Sequence, residues 1–539
     1  MFKCQILASL SVEWFRIGDF QYFAVQQVHC LTEPINQRKN KPMKTKNLLA
    51  AALVAASLAL PAFAQTPAAN TMPDKIETRI GTLTFEKGFP TDSTIEKLYD
   101  EMDFQRAVQA YLWAYPAISF HFCTVGLKRD LGVDYNDVAL WDNFADATGL
   151  FLTANTTTIY AVAPMHLGRS GPMVIEVPAG RTIGLVSDFW QRILGDMGAT
   201  GPDKGQGGKY LVLPPGYQGE VPAQGYFVVR ATTAQVYFLT RGIVEGGNVK
   251  AATDLIRKVR VYPWSQRDNP PPTRFISASN RPVDTLAPAT MAYWEGLASF
   301  INENPVIERD RFFVAMVKPL GIEKGKAFKP DDRQRRILEQ AVVVGNAMAR
   351  ATLFKFDERY GGPDMTPLPG THWAWTMVLN ADQESAHYSQ IDERLHYFYG
   401  ATYMSPAMKL RKAGPGSAYV QTFRDKTGAW LDGAKLYRLH IPANAPAKDF
   451  WSITIYDNQT RSILQNKTGK GAISSYDKLA VNADGSVDLY FGPTAPAGKE
   501  NNWVETVADK GWFPYLRLYA PSEGIFDGTW KMPDIELVK

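Results

Sequence analysis

Two short motifs have the spacing of metal chemistry. Glu384-x-x-His387 and Glu393-x-x-His396 repeat the carboxylate–histidine step of dimetal helical bundles. The pairs stand nine residues apart. On one continuous helix, nine steps of about 100° leave them facing opposite ways, so a shared site needs a chain break between them. Solvated or core-edge polar residues are the reading preferred here, and no metal or cofactor is expected. Cys123 has His121 only two residues away, on a different part of a helix surface, so an inert buried thiol is expected. The Gly-rich run Lys204–Gly208 lacks a following amphipathic helix. There is no Walker sequence, no G-x-S-x-G elbow and no H-E-x-x-H. Thr371-His-Trp-Ala-Trp375, with Tyr388, Tyr397, Tyr399 and Tyr403, could stack a flat ligand, but core packing is favoured.

Two other stretches gather chemistry-bearing residues in order. The first is Ala154-Asn-Thr-Thr-Thr-Ile-Tyr160, then Asp188-Phe-Trp190 and Lys209-Tyr-Leu-Val-Leu213. The second is Phe450-Trp-Ser-Ile-Thr-Ile-Tyr-Asp457, Asn482-Ala-Asp-Gly485, Asn502-Trp503, Leu516-Arg-Leu-Tyr519 and Asp527-Gly-Thr-Trp-Lys531. Together they resemble a bacterial exported family of two paired domains of unknown function, a DUF1254-type N-terminal module and a DUF1214-type C-terminal module. The N-terminal pattern runs Asn-x-Asp-Thr-x-Tyr, and its Asp falls on Thr157 here. If that Asp were an acid or a metal ligand, this chain has lost it. The resemblance implies an exported protein with β-rich modules and helical segments, and no settled activity.

Three functional readings stay open. One is an enzyme acting on a carbohydrate or small organic ligand in a cleft between the modules. Asp188 or Asp196 would be its acid or base, and Tyr160 or Tyr519 a proton donor. Asn155, Thr158, Trp190, Arg192, Arg517, Tyr519 and Trp530 would bind the ligand, with Arg517 gripping an anionic group bidentately. The aspartates could instead cap turns, and Arg517 could face solvent or a carboxylate. The second reading is a non-catalytic ligand-binding or envelope-assembly protein, which the loss of the Asp at position 157 fits. The third is a metal enzyme using the Glu/His segment. Homo-oligomerisation is left open.

The elements that must position these residues follow from periodicity. Ser93–Glu96 fits a capping box, and Phe104, Ala107, Val108, Tyr111 and Tyr115 recur at helical spacing, with an end expected near Pro116 and a helical pattern that can resume after it. Runs at 157–163, 173–177, 182–186, 209–213, 226–231 and 235–239 read as strands of a mostly antiparallel module. A helix capped by Asp284, a second over 305–317 and a third over 331–356 follow, then a loop at 361–370. Alternating runs at 435–440, 450–456, 486–491 and 515–519 suggest a sandwich or jelly roll. The fold class is therefore α+β: a β-rich module over 65–280 with flanking helices, a helical connector over 281–400 and a sandwich-like module over 401–539.

Charge and compartment come from the first residues. Lys44 and Lys46, the apolar run 48–60 and Ala62-Phe-Ala64 read as a signal peptide over 43–64, cleaved before Gln65. Residues 1–42 read as an over-extended start, with Met43 the initiator. The whole chain carries 58 basic and 54 acidic residues and three cysteines. Residues 1–64 hold seven of the basic and three of the acidic ones, so the remaining 475 residues carry 51 of each and one cysteine. A neutral chain with dispersed basic residues gives no support to a nucleic-acid partner. No later run is long and apolar enough for a membrane span. A periplasmic or secreted protein with a small-molecule or carbohydrate ligand is expected.

Overall fold

The computed structural model describes residues 71–355, 367–409, 411–414 and 416–538, with the short strands Arg16–Ile17 and Phe20–Gln21. Those two strands pair antiparallel within one compact unit, Met1–Thr71. The leader read at 43–64 lies outside the described residues, as does most of the loop read at 361–370. Met72–Lys539 forms the other unit. It is α+β, with β-rich N- and C-terminal modules and a helical segment between them. No helix among the described residues is long and apolar enough to cross a membrane.

The helix Asp92–Gly126 is the axis of the molecule. It runs straight past the end expected at Pro116, and Thr91, not Ser93, precedes its first turn without a side-chain cap. Proline inside a helix costs about 3 kcal/mol. Here the residues around it, Trp113, Ala114, Tyr115, Ala117, Ile118 and Phe120, are all buried. Burying one large apolar side chain contributes about 1.5–3 kcal/mol, so a few of them outweigh the proline. A helix apolar all round belongs in a core. Around it pack Met291–Glu303, Arg311–Val317, Asp332–Phe354 and Ile391–Gly400. Asp331 and Gln334 form a reciprocal capping box on the third of these. Asp284 does not cap the first. It ends a short strand and accepts from the Leu286 N–H, and the helix waits until Met291, beyond Pro288.

The N-terminal module has a six-stranded sheet in the order Ile193–Gly198, Thr182–Asp188, Gln235–Ile243, Thr158–His166, Val138–Leu140, Phe275–Ser277. A four-stranded sheet, Phe227–Arg230, Gly208–Leu213, Met173–Val177, Arg260–Pro263, lies across a shared apolar core. Pairing is mainly antiparallel, with two parallel exceptions, Gly208–Leu213 with Phe227–Arg230 and Phe275–Ser277 with Val138–Leu140. Alternation divides the Gln235–Ile243 strand. Val236 and Phe238 enter the core between the sheets, while Tyr237 and Leu239 join the cluster around the long helix. Arg241 continues that second series.

The C-terminal module is a sandwich. Its five-stranded sheet runs Ala374–Trp375, Ser417–Gln421, Trp512–Pro521, Ala447–Asp457, Ala472–Ser474. A four-stranded sheet, Trp503–Glu505, Val487–Gly492, Tyr437–Ile441, Glu536–Leu537, shares its core. Leu516 and Leu518 enter that core with Ile453, Ile455 and Val420. The intervening residues Phe513, Tyr515, Arg517 and Tyr519 therefore point out of the sandwich. They meet the loop that leads into Thr158–His166.

Candidate functional site

That loop, residues 153–157, docks one module on the other. The Thr153 carbonyl accepts from Arg517 Nη2 at 2.8 Å, and the Ala154 carbonyl accepts from the Tyr456 hydroxyl at 2.7 Å. The Thr153 N–H donates to the Arg461 carbonyl at 2.8 Å. Asn155 donates to the Tyr519 hydroxyl, and its Oδ1 accepts from the Thr157 N–H and Oγ1, both at 2.6 Å. Thr157, where the family pattern has Asp, thus closes the loop on itself. Thr153 holds φ at +40°, a rare value for a β-branched residue, and four contacts across the seam fix it there.

Behind the loop lies a partly open cavity of about 70 Å³. Its wall is mainly apolar, with Trp141, Phe151, Leu152, Val162, Leu185 and Leu239. Tyr160, Arg241 and Tyr403 also line it. An outer cleft shares Ala145 and Asp146 with it and is walled by both modules, from Thr156 and Thr157 to Lys470 and Tyr476. Burial lowers the Lys470 ammonium below the usual lysine range.

Two buried arginines meet at this seam, one from the central strands of each module. Arg517 is 3% exposed. It bonds the Thr153 carbonyl and lies over the rings of Tyr419, Tyr456 and Tyr515, 5.4–5.7 Å from their centroids. Arg241 is 7% exposed. It makes no ion pair among the described residues and its Nε is buried without a partner, while the Tyr419 phenol supports it by charge and hydrogen bonding. The groups that act on both guanidiniums electrostatically are the phenols of Tyr160, Tyr419 and Tyr519, with no carboxylate among them. Burial pushes the Tyr519 phenol up. At Tyr419 burial acts the same way, but Arg241, the Ser417 hydroxyl and Arg517 outweigh it and hold that phenol below the ordinary tyrosine value.

The residues singled out in the sequence divide into two groups. Asn155, Tyr160, Arg517 and Tyr519 come together at the seam, and Thr158, buried with its hydroxyl unpartnered, starts the same strand as Tyr160. The others lie elsewhere. Asp188, fully buried, accepts from Arg192 Nε at 2.7 Å, from the Arg192 N–H at 2.9 Å and from Thr232 at 2.7 Å. That closes the turn 188–192. Arg241 pairs with Ile183 on the neighbouring strand, five residues before Asp188 and roughly 16 Å away at the usual strand rise. Asp196 is on the edge strand, and burial raises it to about 6. Trp190 packs on Trp113 and Phe300, and Trp530 against the sandwich core. Asp188, Asp196 and Tyr160 therefore do not form one constellation. Arg241, Tyr419 and the cavity wall were missed. The available signal was a charged residue inside a run, Gln235–Ile243, that is otherwise apolar on both faces.

The Glu/His motifs are used locally. The helix begins only at Ile391, so the chain does break between the pairs. Glu384 accepts from Ser389 and faces Arg309, Glu393 accepts from Tyr388, and His396 Nδ1 donates to the Thr352 carbonyl at 2.7 Å. His387 is exposed. No group of three His, Cys, Asp or Glu with metal-holding geometry occurs among the described residues. Trp373 is buried with its indole N–H on the Pro533 carbonyl, and Trp375 stacks on Phe526.

The comparisons agree with this architecture. Residues 135–263 match the protein-of-unknown-function family DUF1254, and residues 416–523 match DUF1214. The chain thus carries a DUF1254 module followed by a DUF1214 module. The crystal structure of the VPA0106 protein from Vibrio parahaemolyticus is similar over 81% of this chain and all of that one, with TM-score 0.52 and 18% identity. A crystal structure of an uncharacterised protein from Burkholderia cenocepacia covers 82% of this chain and 96% of that one, with TM-score 0.36 and 11% identity. No curated protein matches the sequence.

Proposed function

We propose that the protein binds a small organic molecule in the cavity walled by its N-terminal module and residues 402–408. One observation carries this reading: a partly open pocket with a mainly apolar wall that also presents Tyr160, Arg241 and Tyr403. The wall offers few partners for the many hydroxyls of a sugar, so a compact organic ligand fits it better than a carbohydrate. Asp188 is closed on Arg192 and stands apart from the cavity, which favours binding without acid–base chemistry. A catalytic role has one observation in its favour, the Tyr419 phenol beside Arg241, held below its ordinary value and suited to giving or taking a proton.

The test is a thermal-shift screen of compact organic molecules against sugars and uronic acids, on the wild type and on Leu239→Trp, which fills the cavity. Stabilisation of the wild type alone supports the cavity reading. Equal stabilisation of both forms refutes it. Turnover of a bound compound, lost in Tyr419→Phe, would establish the catalytic role. Export is part of the same proposal: the order of charge, apolar run and small-residue site over 43–64 supports it. N-terminal sequencing of the periplasmic fraction should begin at Gln65, and Met1 or Met43 there would refute it.

A further inference from the structure

A buried cation needs a partner. Removing a guanidinium from water is costly unless opposite charge or directed hydrogen bonds replace its hydration. The two seam arginines differ in this. Arg517 has a carbonyl and three ring faces. Arg241 lines the cavity, is nine-tenths buried, has no carboxylate partner among the described residues, and its Nε is buried without an acceptor. It sits on a central strand, paired on both sides, so it cannot swing out to solvent.

We infer that the cavity takes an organic carboxylate, its head seated on the Arg241 guanidinium beside Tyr160, and its apolar body against Phe151, Leu185 and Leu239. This rests on the cavity reading above and names the ligand class. The head supplies the acceptor that Arg241 lacks, through the fork geometry that guanidinium and carboxylate share. The apolar wall then selects acids with a hydrocarbon body over hydroxylated ones. Asp146, half-buried on the wall shared with the outer cleft, repels a second carboxylate there and so favours monoacids.

The experiment is titration of the full chain, by calorimetry and thermal shift, with hexanoate and benzoate and with their neutral amides. Wild type, Arg241→Met and Arg241→Lys are compared, each shown to be folded by circular dichroism. The acids should bind wild type at least tenfold more tightly than the amides. Arg241→Met should lose that preference, and Arg241→Lys should keep part of it. Acids and amides binding wild type alike would overturn the carboxylate assignment and leave the cavity reading standing. Neither series binding at millimolar concentration would overturn both. If Arg241→Met does not fold, an acid preference in Arg241→Lys equal to that of wild type overturns the fork geometry, and a reduced one supports it.

Discussion

Replacing Arg241 by methionine should make the ligand-free protein more stable. The reasoning starts from what the guanidinium has in the fold. It is buried on a central strand, its Nε has no acceptor, and its polar neighbours are phenols. Breaking a buried pair usually costs about 3–5 kcal/mol, because a charge is left alone. Here no carboxylate would be left behind, and only the attraction of the phenols would be lost. Exchanging buried charge for an apolar side chain of similar volume is often neutral or stabilising by about 1–4 kcal/mol. Lost attraction to the phenols reduces the gain by about 1 kcal/mol for a hydrogen-bond equivalent. A net stabilisation of about 1–3 kcal/mol is expected. A chain of this length has a large unfolding entropy, at about 2 cal/mol/K per residue, so this corresponds to a rise of only a few degrees in Tm. Urea unfolding of exhaustively dialysed protein is the better assay, read as a higher midpoint at unchanged slope. With saturating hexanoate the order should reverse, since wild type alone gains the binding term, about 2.7 kcal/mol at a hundred times Kd. Destabilisation of ligand-free Arg241→Met by several kcal/mol would refute the reasoning, because it would mean that the protein itself compensates Arg241.

Other outcomes follow from neighbouring groups. Asp188→Asn should destabilise by about 3 kcal/mol, because Arg192 loses its buried carboxylate, and an unchanged urea midpoint would overturn the structural role given to that pair. Burial depresses His396 from 6.5 to about 4, so the unfolded chain binds its proton first as pH falls. The stability this contributes is complete above pH 6.5 and is lost towards pH 4, at most about 3 kcal/mol, and His396→Asn should flatten that part of the profile. An identical pH dependence in the variant would count against it. The Cys123 thiol is fully buried and pushed up to about 12 by burial, so a thiol reagent should label it only when the protein unfolds. Labelling in native buffer at the rate of a free thiol would contradict this.

Much of the architecture was legible because strands and helices write their period into the chain. Met173–Val177 has the ends read from its β-prone run and flanking Gly and Pro, and the helix Asp332–Phe354 follows the apolar spacing of Ile337, Leu338 and Val342. Pro116 misled because local stiffness was set against burial that only the fold reveals. The candidate site was half legible. Asn155, Tyr160, Arg517 and Tyr519 stood out by type and order, and they do share one seam. For Asp188 the reading as a turn cap fits what the fold shows, since Arg192 four residues on closes its turn. Arg241 was invisible to a search for paired carboxylates. Its signal is a missing partner, and a missing partner is a property of three dimensions.

Gln191 has a consequence of another kind. Held at φ +62° in the turn that Asp188 closes, it donates to the Pro116 carbonyl at 2.9 Å and accepts from the Tyr403 N–H at 3.1 Å. One side chain therefore links the middle of the core helix to the cavity wall. Its neighbour Trp190 lies against Trp113, 4.9 Å between ring centroids, one turn before Pro116. Any occupant that shifts Tyr403 pulls on the residue beside this indole pair. The protein thereby carries a native optical gauge of its own occupancy, and a change in tryptophan emission on adding hexanoate would follow the ligand without any label.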